Sequence, residues 1–435
     1  MAGARRAQRG ATIAAMRRVI KFGGTSIATP ELTRAAAQRV AQLVEYGDQV
    51  TVVVSAPGNT TNELLAAIDF ATADSGNYLD TCEFAALGEE QSVRLMVAAL
   101  RSCGARAQPF LPREPETWPI IADSEDESPI AATKINEERP FKLRTQQTNG
   151  RFRRYVLPQL RVGAVPVISG FFALSTAGKI ISLGRGGSDI TAFIVANHIS
   201  ADELVIVTDV SGVLSADPRL ADDPGLLEEL SLEDMQVISN SGARVLHPRA
   251  LKFKDEYLRV RLMDYRELDN LGSTGTSILG KSETVLFRNP DELSMITLVG
   301  DAQQLEAIAD VVMAWRREFN VIQVAASSSR RFICNYVPSR VADEAYRGLH
   351  DLLKRDSREL TSLSIKGGIG ELRLRSAKFI DEPGVLAEVT GILANARINI
   401  VEVITGLTDI SLFLAHEDLQ RAEALLGRLI EDYGG

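Results

Sequence analysis

The chain has 435 residues, 45% apolar and 24% charged, with 48 basic against 57 acidic side chains and a net charge of −9. This balance excludes a collagen, a coiled coil and a mostly disordered chain, and it argues against general nucleic-acid binding while allowing a local basic site for a phosphate. No apolar run approaches the ~20 residues that span a bilayer, which excludes an integral helical membrane protein, and the length predicts about three domains.

Residues 1–18 carry five arginines and no acid, so 1–17 reads as a basic N-terminal extension. It suits a solvated tail, an extension ahead of an internal start at Met16, or a targeting segment; it lacks the apolar core of a secretory signal. From Arg18 the pattern becomes α/β. Val19–Phe22 reads as a buried strand running into Gly23-Gly24, and Thr29-Pro30 as a helix start followed by apolar residues at helical spacing until Gly47. Strand-like runs at 50–55, 165–169 and 204–208 follow, each ending in small or polar residues. Strand, helix, strand in this order predicts right-handed crossovers and a parallel sheet, with ligands collecting where the strands end. Residues 112–150, rich in proline and acids, read as a solvated excursion; an acidic metal site at Asp123, Glu125, Asp126 and Glu127 is the weaker alternative. Cys82, Cys103 and Cys334 are too few and too far apart for a disulfide framework or a zinc site, which predicts free thiols in a reducing cytoplasm.

Three segments suit a phosphate. Lys21-Phe22-Gly23-Gly24 puts a cation beside a glycine turn whose backbone can approach an anion. Gly184-Arg185-Gly186-Gly187-Ser188-Asp189 precedes a helix-like run, and Arg185 offers a planar fork for a carboxylate. The plain alternative for this loop is N-capping by Ser188 or Asp189. Thr208-Asp209-Val210-Ser211-Gly212 leaves a buried strand.

Together, KFGGTS (21–26), VVVSAPGNTTN (52–62), LGEE (87–90), LGRGGSD (183–189), TDVSGVLSADPR (208–219) and SGARVLHPRA (241–250) resemble the aspartokinases of the amino-acid kinase family, most closely the short archaeal-type forms. The resemblance implies a mostly parallel open sheet sandwiched by helices over residues 18–283. It implies transfer of the ATP γ-phosphoryl group to the side-chain carboxylate of L-aspartate, the first step of lysine, threonine and methionine biosynthesis, with ATP and phosphate-bound Mg²⁺ as cofactors. That nucleophile, with a reference pKa of ~3.9, is already ionised at neutral pH, so no histidine or serine base is required. Catalysis then rests on in-line positioning and charge neutralisation.

By the same resemblance, Lys21 neutralises the transferring phosphoryl, and Asp189 either holds Lys21 or orders the phosphate-bound Mg²⁺. Thr25, Ser55, Thr61, Glu89 and Arg185 bind aspartate, Arg185 pairing a carboxylate and Glu89 accepting from the α-ammonium. The plain alternative for Glu89 is a helix N-terminal acid. Lys21, Gly23, Gly24, Thr208, Asp209, Leu214, Asp217, Arg219 and Arg244 lie on the ATP side. Leu214 replaces a frequent tyrosine, Arg244 a lysine and Ser211 an acid or proline. Those departures are what would favour a sensing protein with a weakened kinase domain; another amino-acid acceptor is a further alternative.

Residues 319–324 (FNVIQV) echo 398–403 (INIVEV), and each is followed by a second strand-like run and a helix. The order resembles two α+β, ferredoxin-like ACT modules, at 284–362 and 363–435, with 355–370 as their connection. The second module matches the ACT effector loop, which implicates Asp381, Pro383, Gly384, Val385 and Asn399; the first has Asp301-Ala302-Gln303-Gln304 there. The resemblance implies lysine or threonine as effector and a homodimer through these modules. The alternative is modules that serve dimerisation alone.

Overall fold

Val19, Ile20 and Phe22 suit a strand covered on both faces. In the computed structural model of the chain this run is β1 (Arg17–Phe22), inside an eight-stranded sheet. The structure describes residues 15–73, 76–124, 135, 137, 140–242, 245–270, 274–280, 284–319, 321–326, 331–355, 362–376, 379 and 384–434. The chain divides into two units, Met1–Ser282 and Glu283–Gly435.

In the first unit β1 leads to α1 (Pro30–Glu45), where Thr29 caps the helix by accepting from the Leu32 amide and Pro30 takes the first helical position. The helix buries Thr33, Ala36, Ala37, Val40 and Leu43, a stripe at helical spacing. Next come β2 (Gln49–Val54), α2 (Thr60–Thr72), α3 (Tyr78–Ser102) and β3 (Arg106–Phe110). A hairpin of β4 (Ala122–Ser124) and β5 (Phe141–Leu143) precedes α4 (Thr145–Arg151), α5 (Leu157–Arg161) and β6 (Ala164–Ser169). A second hairpin, β7 (Phe172–Leu174) and β8 (Ile180–Ser182), leads to α6 (Gly187–His198) and β9 (Glu203–Thr208). The unit ends with β10 (Val213–Leu214), β11 (Leu226–Leu227), β12 (Glu229–Ser231), α7 (Leu232–Asn240), α8 (Pro248–Leu251), β13 (Arg259–Asp264) and β14 (Thr276–Leu279).

The sheet order is β12-β14-β13-β9-β1-β2-β6-β3. All pairs from β13 to β3 are parallel and β14 runs against β13, so the sheet is mostly parallel. Alternate strand residues feed two cores. Val19 and Val53 join one with α6, while Ile20, Val52 and Val54 join the other with α1 and the C-terminal half of α3. Each fully buried aliphatic side chain contributes about 1.5–3 kcal/mol to this sandwich.

Part of the 112–150 segment departs from the solvated excursion expected above. Trp118, Ile120, Ile121 and Ile135 are buried, and the Trp118 indole donates to the Ile120 carbonyl at 2.9 Å. Apolar residues interspersed among prolines and acids hid this anchor. Asp123 is used structurally: it pairs with Arg144 at 2.6 Å and accepts from Thr176, contacts that hold its carboxyl below the usual range. Glu125, Asp126 and Glu127 lie outside the described residues. The described residues contain no group of three or more histidine, cysteine or acidic side chains placed to hold a metal.

The second unit contains β15 (Val285–Arg288), β16 (Leu293–Val299), α9 (Ala302–Ala307), α10 (Ala309–Glu318), β17 (Gln323–Ala326), β18 (Phe332–Pro338) and α11 (Ala342–Arg355). It continues with β19 (Ser362–Arg375), α12 (Val385–Asn395), β20 (Ile400–Thr405), β21 (Asp409–Ala415) and α13 (Leu419–Gly434). The strands form one sheet, β17-β18-β16-β19-β21-β20, with β15 also on β19. The expected connection at 355–370 is therefore corrected: its described C-terminal part, from Ser362, is strand. β19 pairs with β16 through Ser362–Ile369 and with β21 through Ile369–Arg375. Gly368, at φ 71°, lets the strand turn between these partners. Its glycines and charges mask the alternation that would mark a strand.

Candidate active site

Parallel pairing carries the C-terminal ends of β9, β1, β2 and β6 to one edge of the sheet. The loops there are stitched together. The Gly23 amide donates to Val207 O at 3.1 Å, Ser55 N to Phe22 O at 3.2 Å, and Gly170 N to Val54 O at 2.9 Å. β1 lies between β9, reached late in the chain, and β2, reached through α1, so this edge is a topological switch point.

Lys21 reaches this edge from β1, and its Nζ lies 2.7 Å from Asp189 Oδ1 in the first turn of α6. Of the two roles the sequence left open for Asp189, the geometry supports holding Lys21. Both side chains are largely buried, which strengthens the attraction relative to a surface pair. The N-cap of α6 is Gly186 at φ 74°, with no side-chain cap. Ser188 and Asp189 therefore lie inside the helix, and the N-capping alternative falls. The first turn of α6, the positive end of its dipole, thus lies beside Lys21.

Close packing explains the glycines. A Cβ on Gly24 would lie 2.5 Å from Ala56 O, and one on Gly186 2.4 Å from His247 Cβ. The first contact lays the 55–58 turn on the KFGG turn. The second lays His247, at the N-cap of α8, on the GRGGSD loop. The GRGGSD loop, the end of α7 and the start of α8 bound an open cavity of about 630 Å³ lined by Arg185, Asp189, Ser239, Asn240, Leu246 and His247, among others. Arg185 is exposed, free to meet an anion.

Glu89 sits deep within α3 and is 2% exposed, so it is not a helix N-terminal acid. One carboxylate oxygen accepts from the Ala56 amide at 3.4 Å, and the other, Oε2, has no hydrogen-bond partner. Burial pushes its carboxyl up to about 8, against the smaller lowering effect of backbone hydrogen bonds. Gly88 gives α2 close approach, since a Cβ there would meet Ala56 Cβ at 3.0 Å and Thr60 Cγ2 at 3.3 Å. Ala56 links Glu89 to the turn after β2 that begins with Ser55, and Thr61 lies in the adjacent first turn of α2. Thr25 is exposed in the turn after Gly24.

On the expected nucleotide side, Thr208 ends β9 and donates to Asp209 Oδ1 at 3.1 Å. Leu214 is half-buried on β10 opposite Leu226. Asp217 and Arg219 pair with each other at 2.7 Å on the surface, and the Arg219 guanidinium lowers the Asp217 carboxyl to about 2. Arg244 lies outside the described residues, as do Asp381 and Pro383. In the second unit Gly384, at φ 94°, caps α12, Val385 is buried, and Asn399 is exposed just before β20. The corresponding turn before α9 is closed on itself. Asp301 accepts from the Gln304 amide at 2.8 Å and donates its own amide to Gln304 Oε1 at 2.9 Å. Ser239 and Asn240, both lining the cavity, were missed in the sequence; their only signal is their position just ahead of SGARVLHPRA.

The model of the amino acid kinase family matches residues 16–264, more than half of the chain and all of the elements that build this edge. The chain belongs to the amino acid kinase family. A model of the ACT domain matches residues 380–431. Among curated relatives, this family member is 28% identical to aspartokinase 2 of Bacillus subtilis over 93% of its own length and 95% of the relative's. Among solved structures, it superposes on the aspartate kinase from Synechocystis with a TM-score of 0.73 at 22% identity, covering 96% of this chain and 70% of that one. It also matches E. coli aspartokinase III in complex with aspartate and ADP, with a TM-score of 0.51 at 21% identity, over 94% and 99% of the two chains. The fold is thus the amino-acid kinase fold followed by an ACT-type α+β unit.

Proposed function

We propose that the protein is an aspartate kinase, transferring the γ-phosphoryl group of ATP to the side-chain carboxylate of L-aspartate to give 4-phospho-L-aspartate. One observation carries this reading: the Lys21–Asp189 pair at the meeting point of four strand ends, with Arg185 lining the same cavity as Asp189, in a chain similar to aspartokinases over almost its whole length.

Lys21, held by Asp189, neutralises the transferring group, and, with the Gly23 amide already given to Val207 O, the Gly24 amide meets its oxygens. Arg185 pairs a substrate carboxylate. Glu89 gives up its proton to receive the α-ammonium, which supplies the partner that Oε2 lacks; Thr25, Ser55 and Thr61 complete the aspartate site. Thr208, Asp209, Leu214, Asp217, Arg219 and Arg244 contact the nucleotide. Asp189, the carboxylate set against Lys21, is taken up by that pair, which fits Mg²⁺ carried on the ATP phosphates rather than caged by protein. So carried, the cation offsets phosphate charge.

The chain divides in this reading into a 1–17 extension, a catalytic domain at 18–283 and two ACT modules at 284–362 and 363–435. The turn before α12 takes lysine or threonine as effector, while the capping box closes its counterpart before α9. The modules also join two chains as a homodimer, and the enzyme works in the cytoplasm. Turnover compared on aspartate, glutamate and N-acetylglutamate tests the acceptor. Aspartate as the preferred substrate supports the reading, and preference for either of the others overturns it.

A further inference from the structure

Thr191 is fully buried in α6, and its hydroxyl joins two segments that meet at the site. The Phe171 amide donates to Thr191 Oγ1 at 3.2 Å, and Oγ1 donates to the Gly187 carbonyl at 2.9 Å. The second bond is the ordinary back-bond of a helical threonine. The first is not, because it comes from a backbone N–H twenty residues earlier, in the corner after β6.

That corner is strained. Phe171 has φ 71°, a region L-residues avoid. It is also fitted to the start of α6 without slack. A Cβ on Gly187 would lie 2.8 Å from Phe171 Cδ2, and one on Gly170 2.6 Å from Ser188 Oγ. Leu183 N donates to Phe171 O at 2.9 Å, tying the corner also to the strand leading into the GRGGSD loop. Asp189 lies between Gly187 and Thr191, and its carboxylate is the one that meets Lys21.

We propose that Thr191 is a positioning residue for phosphoryl transfer: its buried hydroxyl clamps the left-handed Phe171 corner to the first turn of α6 and so fixes Asp189 against Lys21. The inference rests on the kinase reading above, but it has a consequence that does not. Without the hydroxyl the Phe171 amide loses its acceptor, and the first turn of α6 loosens.

The test compares wild type with Thr191→Val, which keeps the shape and removes the hydroxyl, and Thr191→Ser, which keeps the hydroxyl. In aspartyl hydroxamate formation Thr191→Val lowers kcat about 10- to 100-fold, since small misplacements of catalytic groups cost that much. Its KM values for aspartate and ATP stay within about twofold of wild type, because transfer rather than binding is affected. Thr191→Ser restores most of the rate. Amide exchange at 171 and 188–191 is faster in Thr191→Val than in wild type. A kcat within twofold of wild type, a serine variant as slow as valine, or unchanged exchange each overturns the proposal. Should wild type form no hydroxamate, the kinase reading fails, and exchange alone judges the clamp. Should Thr191→Val not fold, Thr191→Ala carries the same measurements.

Discussion

Lys21 is a cation supplied by a strand end, and its partner comes from a helix 168 positions later, so its role depends on two elements meeting. Lys21→Ala is expected to lower kcat by about 10²–10³-fold or more, the usual cost of removing a group aimed at developing charge. Arg185→Ala acts through the substrate, raising the KM for aspartate by about 10- to 100-fold, the cost of a lost charged hydrogen bond. Steady-state kinetics separate the two effects. Glu89 gives a pH signature. Its folded carboxyl is raised to about 8 from an ordinary 4.5, so its stability contribution is fully present below pH 4.5 and is lost as pH rises through about 8. Substrate needs the ionised form, so the KM for aspartate falls by about tenfold per unit as pH rises toward 8 and levels off above it. Glu89→Gln removes that dependence. A pH-independent KM in the wild type contradicts the role given to Glu89. Lys21, Gly23, Gly24, Arg185 and Asp189 were singled out by residue type and spacing, and of these Lys21 and Asp189 meet in the fold. The burial of Glu89 was not, because nothing in LGEE tells a helix interior from a helix start.

At the scale of elements, the site is a set of turns laid on one another, and glycine is required where they touch. Gly24→Ala and Gly186→Ala each place a methyl within 2.5 Å of a backbone oxygen or the His247 side chain. Each is expected to cost about 1–3 kcal/mol, the range for overpacking. At Gly186 a left-handed φ adds to it. Chemical denaturation measures the loss; Gly178→Ala, with nothing near its Cβ but also at positive φ, isolates the backbone part. The buried strands and α1 were readable because continuous apolar runs and a Thr-Pro start have few alternative uses. β19 was not, since Lys366-Gly367-Gly368 looks like a linker, and its strand character comes from the partners on either side. The same holds for Trp118 and Ile120, whose burial depends on distant elements.

Across the whole molecule, the acidic net charge and the cationic site belong to different length scales. The −9 is a sum over the chain, while Lys21 at the end of β1 and Arg185 in the loop before α6 are single cations at one edge of the sheet. The second unit has its own internal tie. Tyr336 of β18 donates to Glu402 of β20 at 2.5 Å and stacks on Phe413 of β21 with ring centroids 3.8 Å apart. Tyr336→Phe keeps the stack, loses the hydrogen bond and is expected to destabilise this unit by about 1–3 kcal/mol, read from its unfolding transition. The internal repeat announced two similar halves; that one strand serves both was set by pairing at a distance.

Trapping of the acyl phosphate by hydroxylamine tests carboxyl phosphorylation of aspartate at the Lys21–Asp189 edge. Purified protein with ATP, Mg²⁺ and L-aspartate is expected to form aspartyl hydroxamate, and Lys21→Ala, folded and still able to bind aspartate, is expected to form almost none. Hydroxamate absent from the wild type, or formed at wild-type rate by Lys21→Ala, contradicts the account.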